Sequence, residues 1–463
     1  MKNLKSAIQD EAIMLQAPDD TPIVINGSIP LVGQVDVSGS KHSILHILGT
    51  LWLLDGDFVI RNTPNIWDVR YLLEIYKSLG IKFALTSEEL KVSISSSSFR
   101  YSEEKMELAS KIRSSILLLA SLLVRNKYVK FPAPTGDRIG NRPFAEFFAV
   151  LEHFGIFYSM QDGFIEARLK NPLVGNRVID LYSHGNNRTA LTIILAAANS
   201  GRTIIVNPLP QPEIIELCAF LDSFVCPVNV EFYPSGAIKI IIESEGKIPI
   251  NSGGSFSVGP DKCELGFWIA SAVITGGLIE CHLQSPILSE KSLGPLSGIR
   301  HSLLDGFGVE TSVITTSRFR IDGQRSKLKP INLIVPHNKE LTTGLSIDVC
   351  PQFIPLMTLA SGKSQYRDCK YGASRVTTFL TELRKLGMII SLHGNTLEIQ
   401  GRNDLYGARV TGTDIRGAAS LLIASLGAKG QSELDGMFYI NRGYHDIVRK
   451  LNYLGANIRR KEL

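Results

Sequence analysis

Two patterns of apolar and polar positions alternate along this chain, and each of them recurs. In the first, apolar residues at i, i+3, i+4 and i+7 back onto a charged face, which predicts a helix with one buried stripe. A glycine then stops the helix before a strand. The copies read LLEIYKSLGIKF (Gly80), FFAVLEHFGIFYSM (Gly155), ELCAFLDSFVCPVNVEF (near Val225), RHSLLDGFGVETSV (Gly308), FLTELRKLGMIISL (Gly387) and IVRKLNYLGANIRR (Gly455), spaced by about 70 to 80 residues. In the second pattern the helix is apolar nearly all round and rich in Ala, Ser and Gly, as in ILHILGTLWLLDGDFVIRN, SSILLLASLLVRNKYVKFP, ALTIILAAANSGRTIIVNP, GFWIASAVITGGLIECHL and AASLLIASLGAKGQSELDG. A helix without a polar face is buried on every side. These helices therefore predict an inner layer against the sheets, and the charged series an outer one.

Six β-α units of this size predict an α/β protein of two domains, each with three units around a pseudo-threefold axis and with a ligand cleft between them. Residues 1–20 read as an extension, because the first strand pattern, TPIVING, begins at Thr21. The first domain is expected over 21–42 and 258–463, and the second over 43–257. The link falls in the Ser/Gly-rich stretch from Asn251 to Lys262. With one crossing at VSGSKHS and a return near Gly259, the two passages would form a double-stranded hinge that permits closure.

Composition narrows the function. The chain has 463 residues, 44% hydrophobic and 20% charged, so it is globular. Its net charge of +5 is too dilute for a nucleic-acid footprint unless the charges converge. Six cysteines (Cys218, Cys226, Cys263, Cys281, Cys350, Cys369) form no C-x-x-C pair and no zinc spacing, which reads as reduced thiols in a cytoplasmic protein. Neither a signal peptide nor a membrane span is expected.

Several motifs could carry anion chemistry. Ser38-Gly39-Ser40 precede a buried helix with Lys41 and His42 at its mouth, where backbone N–H groups, the helix dipole and an ammonium favour an anion; an ordinary helix start with a surface lysine reads the same way. PTGDRIGNRP (134–143) sets Asp137 between Arg138 and Arg142 in a loop constrained by Gly and Pro, a candidate lid or a salt-bridged surface loop. Asp348 in SIDVCPQF and Asp414 in TGTDIRGAAS each stand at a helix entrance, the helix after Asp348 being interrupted by proline, and N-capping competes there with a catalytic reading. Arg113, Arg375, Arg416 and Arg442 hold comparable points of separate repeats, and with Lys41 they would concentrate positive charge fit for carboxylate and phosphate. SGKS at Ser361 to Ser364 is no phosphate loop, since Met357 stands where the first glycine belongs.

Together VSGSKH, IRSS, PTGDRIGNRP, PQPEIIE, SIDVCPQF, TGTDIRGAAS and INRGYHDIVRKLNYLGA resemble, in order, the motifs of the enolpyruvyl transferases, from about Thr21 to the C-terminus. The resemblance implies two inside-out α/β domains closing over substrate. It also implies transfer of the enolpyruvyl group of phosphoenolpyruvate to a hydroxyl through a tetrahedral intermediate, with release of phosphate and no metal or redox cofactor. Lys41, Arg142 and Arg442 match phosphoenolpyruvate ligands, and Arg113 and Arg375 complete the anion cage. The family also places a ligand arginine at the RKLG step, here Arg384. Among catalytic groups, Lys41 is joined by Asp348, which accepts the acceptor's proton, by Asp414, which lies near the reacting carbon and is held by Arg416, and by Asp137, in the loop position where many members carry an acidic cysteine. A carboxylate there implies resistance to fosfomycin, which alkylates that thiol.

The departures lie on the acceptor side. Where the family has Lys-Asn, with the asparagine touching the acceptor sugar, this chain has Lys41-His42. Its S-V-G-A-T stretch is replaced by SHGNNRT (Ser183 to Thr189), which puts Ser183, Gly185 and Arg188 beside the acceptor. The acceptor implied first is UDP-N-acetylglucosamine, for peptidoglycan biosynthesis. Another nucleotide such as uridine monophosphate, as in nucleoside antibiotic biosynthesis, and a catalytically silent nucleotide-binding paralogue stand as alternatives.

Overall fold

The computed structural model of the chain describes residues 13–14, 16–87, 89–136, 144–182, 185–247, 249, 252–284, 304–335, 346–368, 374–402 and 404–462. They form two compact units. One is built on residues 13–16, 39–136 and 144–259, the other on residues 17–38 and those from 260 on. Among the described residues there are six sheets, three in each unit.

Among the described residues the repeats share one order: an inner helix, replaced in the fifth by 3₁₀ turns, a strand, an outer helix, then a strand or hairpin that returns to the same sheet. Lys41–Thr50, Gly56–Arg61, Trp67–Ser78 and the hairpin of Lys82–Leu85 with Glu89–Ile94 make the first. Ile116–Asn126, Asn186–Ala198, Lys262–Thr275 and Ile415–Gly427 supply further inner helices. Lys262–Thr275 buries every residue except Cys263, as a helix apolar all round must. The fold is thus the mixed α/β architecture expected from the two alternating patterns. The last repeat is completed by the other end of the chain: Asn457–Arg460 pairs antiparallel with Ile23–Asn26, whose other edge takes Gln431–Asp435. That clasp closes the second unit.

The stops work as their sequence suggests at five positions, where Gly80, Gly155, Gly308, Gly387 and Gly455 all have φ between +67° and +97°. At Gly308 space is also decisive, because a Cβ would lie 2.2 Å from the Lys327 carbonyl oxygen. The copy ending at Val225 has no glycine and closes with φ −117°.

The Pro-interrupted helix expected after Asp348 takes the form of two short 3₁₀ turns, Cys350–Phe353 and Pro355–Thr358, because Pro351 and Pro355 remove amide donors that an α-helix needs. One region differs from the sequence reading. The N-terminal extension, expected to lie outside the fold, is held from Ile13 onward. Ile13–Met14 pairs parallel with Ala84–Leu85, the Gln16 carbonyl accepts from Arg70 Nη2 at 2.6 Å and Asn65 Nδ2 at 3.1 Å, and Asp19 pairs with Arg460 at 3.0 Å. A two-residue edge strand leaves no periodic signal to read. Among the described residues no helix is long and apolar enough to cross a membrane.

Candidate functional site

In the first unit, the candidate cations lie where three inner elements meet. The helix Lys41–Thr50 packs against the turn Arg113–Ser115 and the helix Asn186–Ala198. Ser40 caps the first helix, its Oγ accepting the Ser43 N–H at 3.3 Å. The residue before it must be glycine, since a Cβ on Gly39 would lie 1.8 Å from the Asn62 carbonyl oxygen. Lys41, the first helical residue, is not a solvated surface lysine: its Nζ sits 2.7 Å from Asp68 Oδ2, with the two side chains 13% and 4% exposed. Asp68 belongs to the first turn of Trp67–Ser78. His42 follows, partly buried, on the same turn as Lys41.

Arg113 lies beneath two aromatic rings. Its guanidinium carbon is 5.0 Å from the Phe144 ring centroid and 5.1 Å from that of Phe147, and its Nη2 is 3.5 Å from Glu146 Oε1. The base of the candidate lid is tied to the same arginine. Gly136, at φ +60°, would bring a Cβ within 2.9 Å of the Arg113 backbone nitrogen, so the chain can approach there only as glycine. Gly185 caps Asn186–Ala198, and Arg188 in the first turn of that helix is buried. Burial lowers the pKa of Arg188, while Glu146 and Asp180 act against that shift. At the same helix end, Ser114 donates to Asn187 Oδ1 at 3.3 Å and Asn186 Nδ2 to Glu213 Oε1 at 2.7 Å. The unit therefore gathers Arg113, Gly185 and Arg188 around a carboxylate, Glu146.

In the second unit, the helix Ile415–Gly427 is the organising element. It packs against the 3₁₀ turn Cys350–Phe353, the helix Ser374–Lys385 and the short helix Met437–Asn441. Asp414 is its N-cap, 1% exposed. Its Oδ1 accepts the N–H groups of Arg416 and Gly417, both at 3.0 Å, and its Oδ2 accepts from Thr378 Oγ1 at 3.0 Å. The Arg416 backbone amide donates to Asp414, and its guanidinium pairs with the carboxylate of Asp348. With three internal donors, Asp414 fixes the helix start.

Arg442, 5% exposed, follows Met437–Asn441; a Cβ on the next residue, Gly443, would come within 2.8 Å of Ile415 Cγ2, so this turn lies against the start of the organising helix. Arg384 is engaged structurally, its Nη2 donating to the Ile390 carbonyl at 2.9 Å. Arg375 stands on Ser374–Lys385, its side chain outside the described residues, as are Asp137, Arg142 and Ser183 entirely. Below the helix Lys262–Thr275, Lys450 Nζ pairs with the buried Glu264 at 2.6 Å and donates to Ser38 Oγ at 2.7 Å and to the Asp36 carbonyl at 2.9 Å, fixing the strand that leads to Lys41.

Sequence reasoning missed Asp68 and Glu146. Each stands in the first turn of an outer helix, where an acid is ordinary. Only the pairing of elements shows that each faces a candidate ligand cation.

A family model described as EPSP synthase (3-phosphoshikimate 1-carboxyvinyltransferase) matches residues 25–451. A UDP-N-acetylglucosamine 1-carboxyvinyltransferase from Chloroherpeton thalassium is 33% identical over 445 residues, covering 95% of this chain and 97% of the relative, and one from Coxiella burnetii is 29% identical over 438 residues, 95% of each. Among solved structures, the enolpyruvyl transferase NikO from Streptomyces tendae matches with a TM-score of 0.81 at 23% identity over 96% of this chain and 99% of that one. EPSP synthase from Acinetobacter baumannii matches with 0.72 at 18% over 95% and 100%. With a family match over residues 25–451 and a fold shared with two enolpyruvyl transferase structures, the chain belongs to the EPSP synthase family of enolpyruvyl transferases.

Proposed function

We propose that the enzyme transfers the enolpyruvyl group of phosphoenolpyruvate to a hydroxyl of a uridine nucleotide, UDP-N-acetylglucosamine first. The observation that carries this reading is the 33% identity, over nearly the whole length of both chains, to a protein named for that reaction. In the proposed reaction a proton adds to C3 of phosphoenolpyruvate and the acceptor oxygen bonds to C2 as its own proton leaves. The tetrahedral adduct then loses phosphate through its C–O bond and a proton from C3, restoring the double bond.

Lys41, Arg113, Arg142, Arg375 and Arg442 bind the phosphate and carboxylate, where preorganised cations act with little screening. Asp348, oriented by Arg416, takes the acceptor's proton. Asp414 positions Arg416 rather than touching the reacting carbon. Asp137, in the loop anchored beside Arg113 at Gly136, is the proton donor, and fosfomycin finds no thiolate at that position to alkylate. His42, Ser183, Gly185 and Arg188 face the acceptor.

A second reading, a simpler uridine nucleotide as acceptor, is favoured by the buried Arg188 with Glu146 beside it, which gives the acceptor side its own charge arrangement. Phosphate release from phosphoenolpyruvate, measured with UDP-N-acetylglucosamine, uridine monophosphate and shikimate 3-phosphate, tests both. Turnover fastest with the amino-sugar nucleotide supports the first reading, and turnover fastest with the monophosphate replaces it by the second. Release with neither uridine nucleotide overturns the proposal.

A further inference from the structure

Glu146 is the carboxylate that meets both sets of candidate ligands in the first unit. Its Oε1 is 3.5 Å from the Arg113 guanidinium, it acts electrostatically on the buried Arg188, and its Oε2 lies 3.0 Å from where a Cβ on Gly185 would be. Gly185 is the residue type that leaves this carboxylate its room. The pairing is loose: 3.5 Å is at the outer limit of a hydrogen bond, and the Glu146 side chain is 30% exposed against 11% for Arg113. Arg113 itself is fixed by the Phe144 and Phe147 rings, so in any exchange of partners the flexible carboxylate moves and the guanidinium stays.

Arg188 is an alternative partner for it, although Asp180 also acts there. Glu213, bonded to Asn186, adds a third carboxylate at this helix end. A substrate anion that takes Arg113 Nη2 competes with Glu146, and an anion that binds Arg188 meets it as a repelling charge.

We propose that Glu146 is a specificity-determining residue, an internal counter-anion that holds Arg113 in the unliganded enzyme and competes with the anionic donor and with any acceptor anion placed at Arg188. The proposal rests on the reading that Arg113 and Arg188 are substrate ligands. It deepens that reading by making donor affinity and acceptor charge selection depend on one residue. Because Glu146 sits between two binding groups, its removal strengthens anion binding, the opposite of what loss of a ligand or of a structural ion pair does.

The test compares wild type, Glu146→Gln, Glu146→Asp, Arg113→Gln and the double variant Arg113→Gln with Glu146→Gln. It uses two readouts, KM and kcat for phosphoenolpyruvate, and the Kd of inorganic phosphate by calorimetry. The proposal predicts that Glu146→Gln tightens phosphate binding and lowers KM by about two- to fivefold, the range for removing one partly exposed charge. kcat carries the smaller share of the change. Glu146→Asp returns toward wild type, and the gain vanishes in the Arg113→Gln background. Unchanged or weaker phosphate binding in a folded Glu146→Gln protein overturns the proposal, as does a gain that survives removal of Arg113. The phosphate readout needs no turnover, so absence of transfer in every protein counts against the proposed function alone, while the binding data still decide the role of Glu146.

Discussion

The candidate residues of the two units are held in opposite ways. In the first unit, Lys41 and Arg113 are each matched by one carboxylate from a neighbouring outer helix, Asp68 at 2.7 Å and Glu146 at 3.5 Å. In the second, Asp348 and Asp414 are both tied to a single residue, Arg416, by its guanidinium and its backbone amide, and Asp414 is further fixed by Gly417 and Thr378. Within the first unit the two pairings differ: the close, buried Asp68 aims Lys41, while the looser, partly exposed Glu146 can be traded for the charge of a ligand. The second unit orients a carboxylate, which is what proton transfer from a hydroxyl requires. On the proposed reading of the site, this difference between the units makes donor binding and acceptor activation separable, and mutations should separate them.

The largest expected effect is on the rate. Asp348→Asn keeps the size of the side chain and removes the base, so kcat should fall by roughly 10²- to 10⁴-fold, with KM for phosphoenolpyruvate changing little. Steady-state phosphate release checks this, and a variant with wild-type kcat would remove Asp348 from proton transfer. Next comes the lysine clamp. Asp68→Asn frees Lys41 from the group that aims it, and KM for phosphoenolpyruvate should rise about tenfold, equivalent to ~1.4 kcal/mol. A change in kcat alone would show that Asp68 acts on the chemistry and not on donor binding.

A smaller effect, on stability, distinguishes capping from catalysis at Asp414. Asp414→Ala should cost about 1–2 kcal/mol in chemical denaturation, as expected for losing an N-cap, while Asp414→Ser recovers most of it. A loss of rate beyond about 10³-fold in a variant that keeps wild-type stability would contradict the structural assignment, since one displaced cap is not expected to remove a general acid–base step. The smallest effect is a pH slope. Burial, and then the nearby Lys450, push the pKa of His445 below its usual value, so near pH 6 the unfolded chain binds a proton that the folded chain resists. Stability from this group is present above the ordinary histidine pKa and is lost as pH falls below it toward the depressed folded value. His445→Gln should therefore flatten the dependence of unfolding midpoint on pH between about 7 and 5. An unchanged slope would exclude His445 as its source.

Much of the architecture is legible in the sequence because it follows from local rules. A charged helix with one apolar stripe and a glycine stop declares an outer helix, and the polarity of Lys262–Thr275 alone predicts its burial. The interruption of the fifth inner helix is legible for an equally local reason, its two prolines. The site is less legible. Motif and charge pick out Lys41, Arg113, Asp348, Arg416 and Arg442, but a sequence does not say which carboxylate answers which cation. Asp68 and Glu146 look like ordinary first-turn acids until the neighbouring helix is in place, and Arg416 looks like a partner for the nearby Asp414 when its side chain reaches Asp348, 68 residues away.

The central claim is that the bond from carbon to the bridging oxygen of phosphoenolpyruvate breaks, with the acceptor's oxygen taking its place. It is tested most directly by placing ¹⁸O in that bridging position and analysing the products of a single turnover with UDP-N-acetylglucosamine and with uridine monophosphate. The account predicts that the label leaves entirely in inorganic phosphate while the acceptor gains an enolpyruvyl ether that carries none. Label retained in pyruvate, with phosphate released by cleavage of the P–O bond, would contradict it.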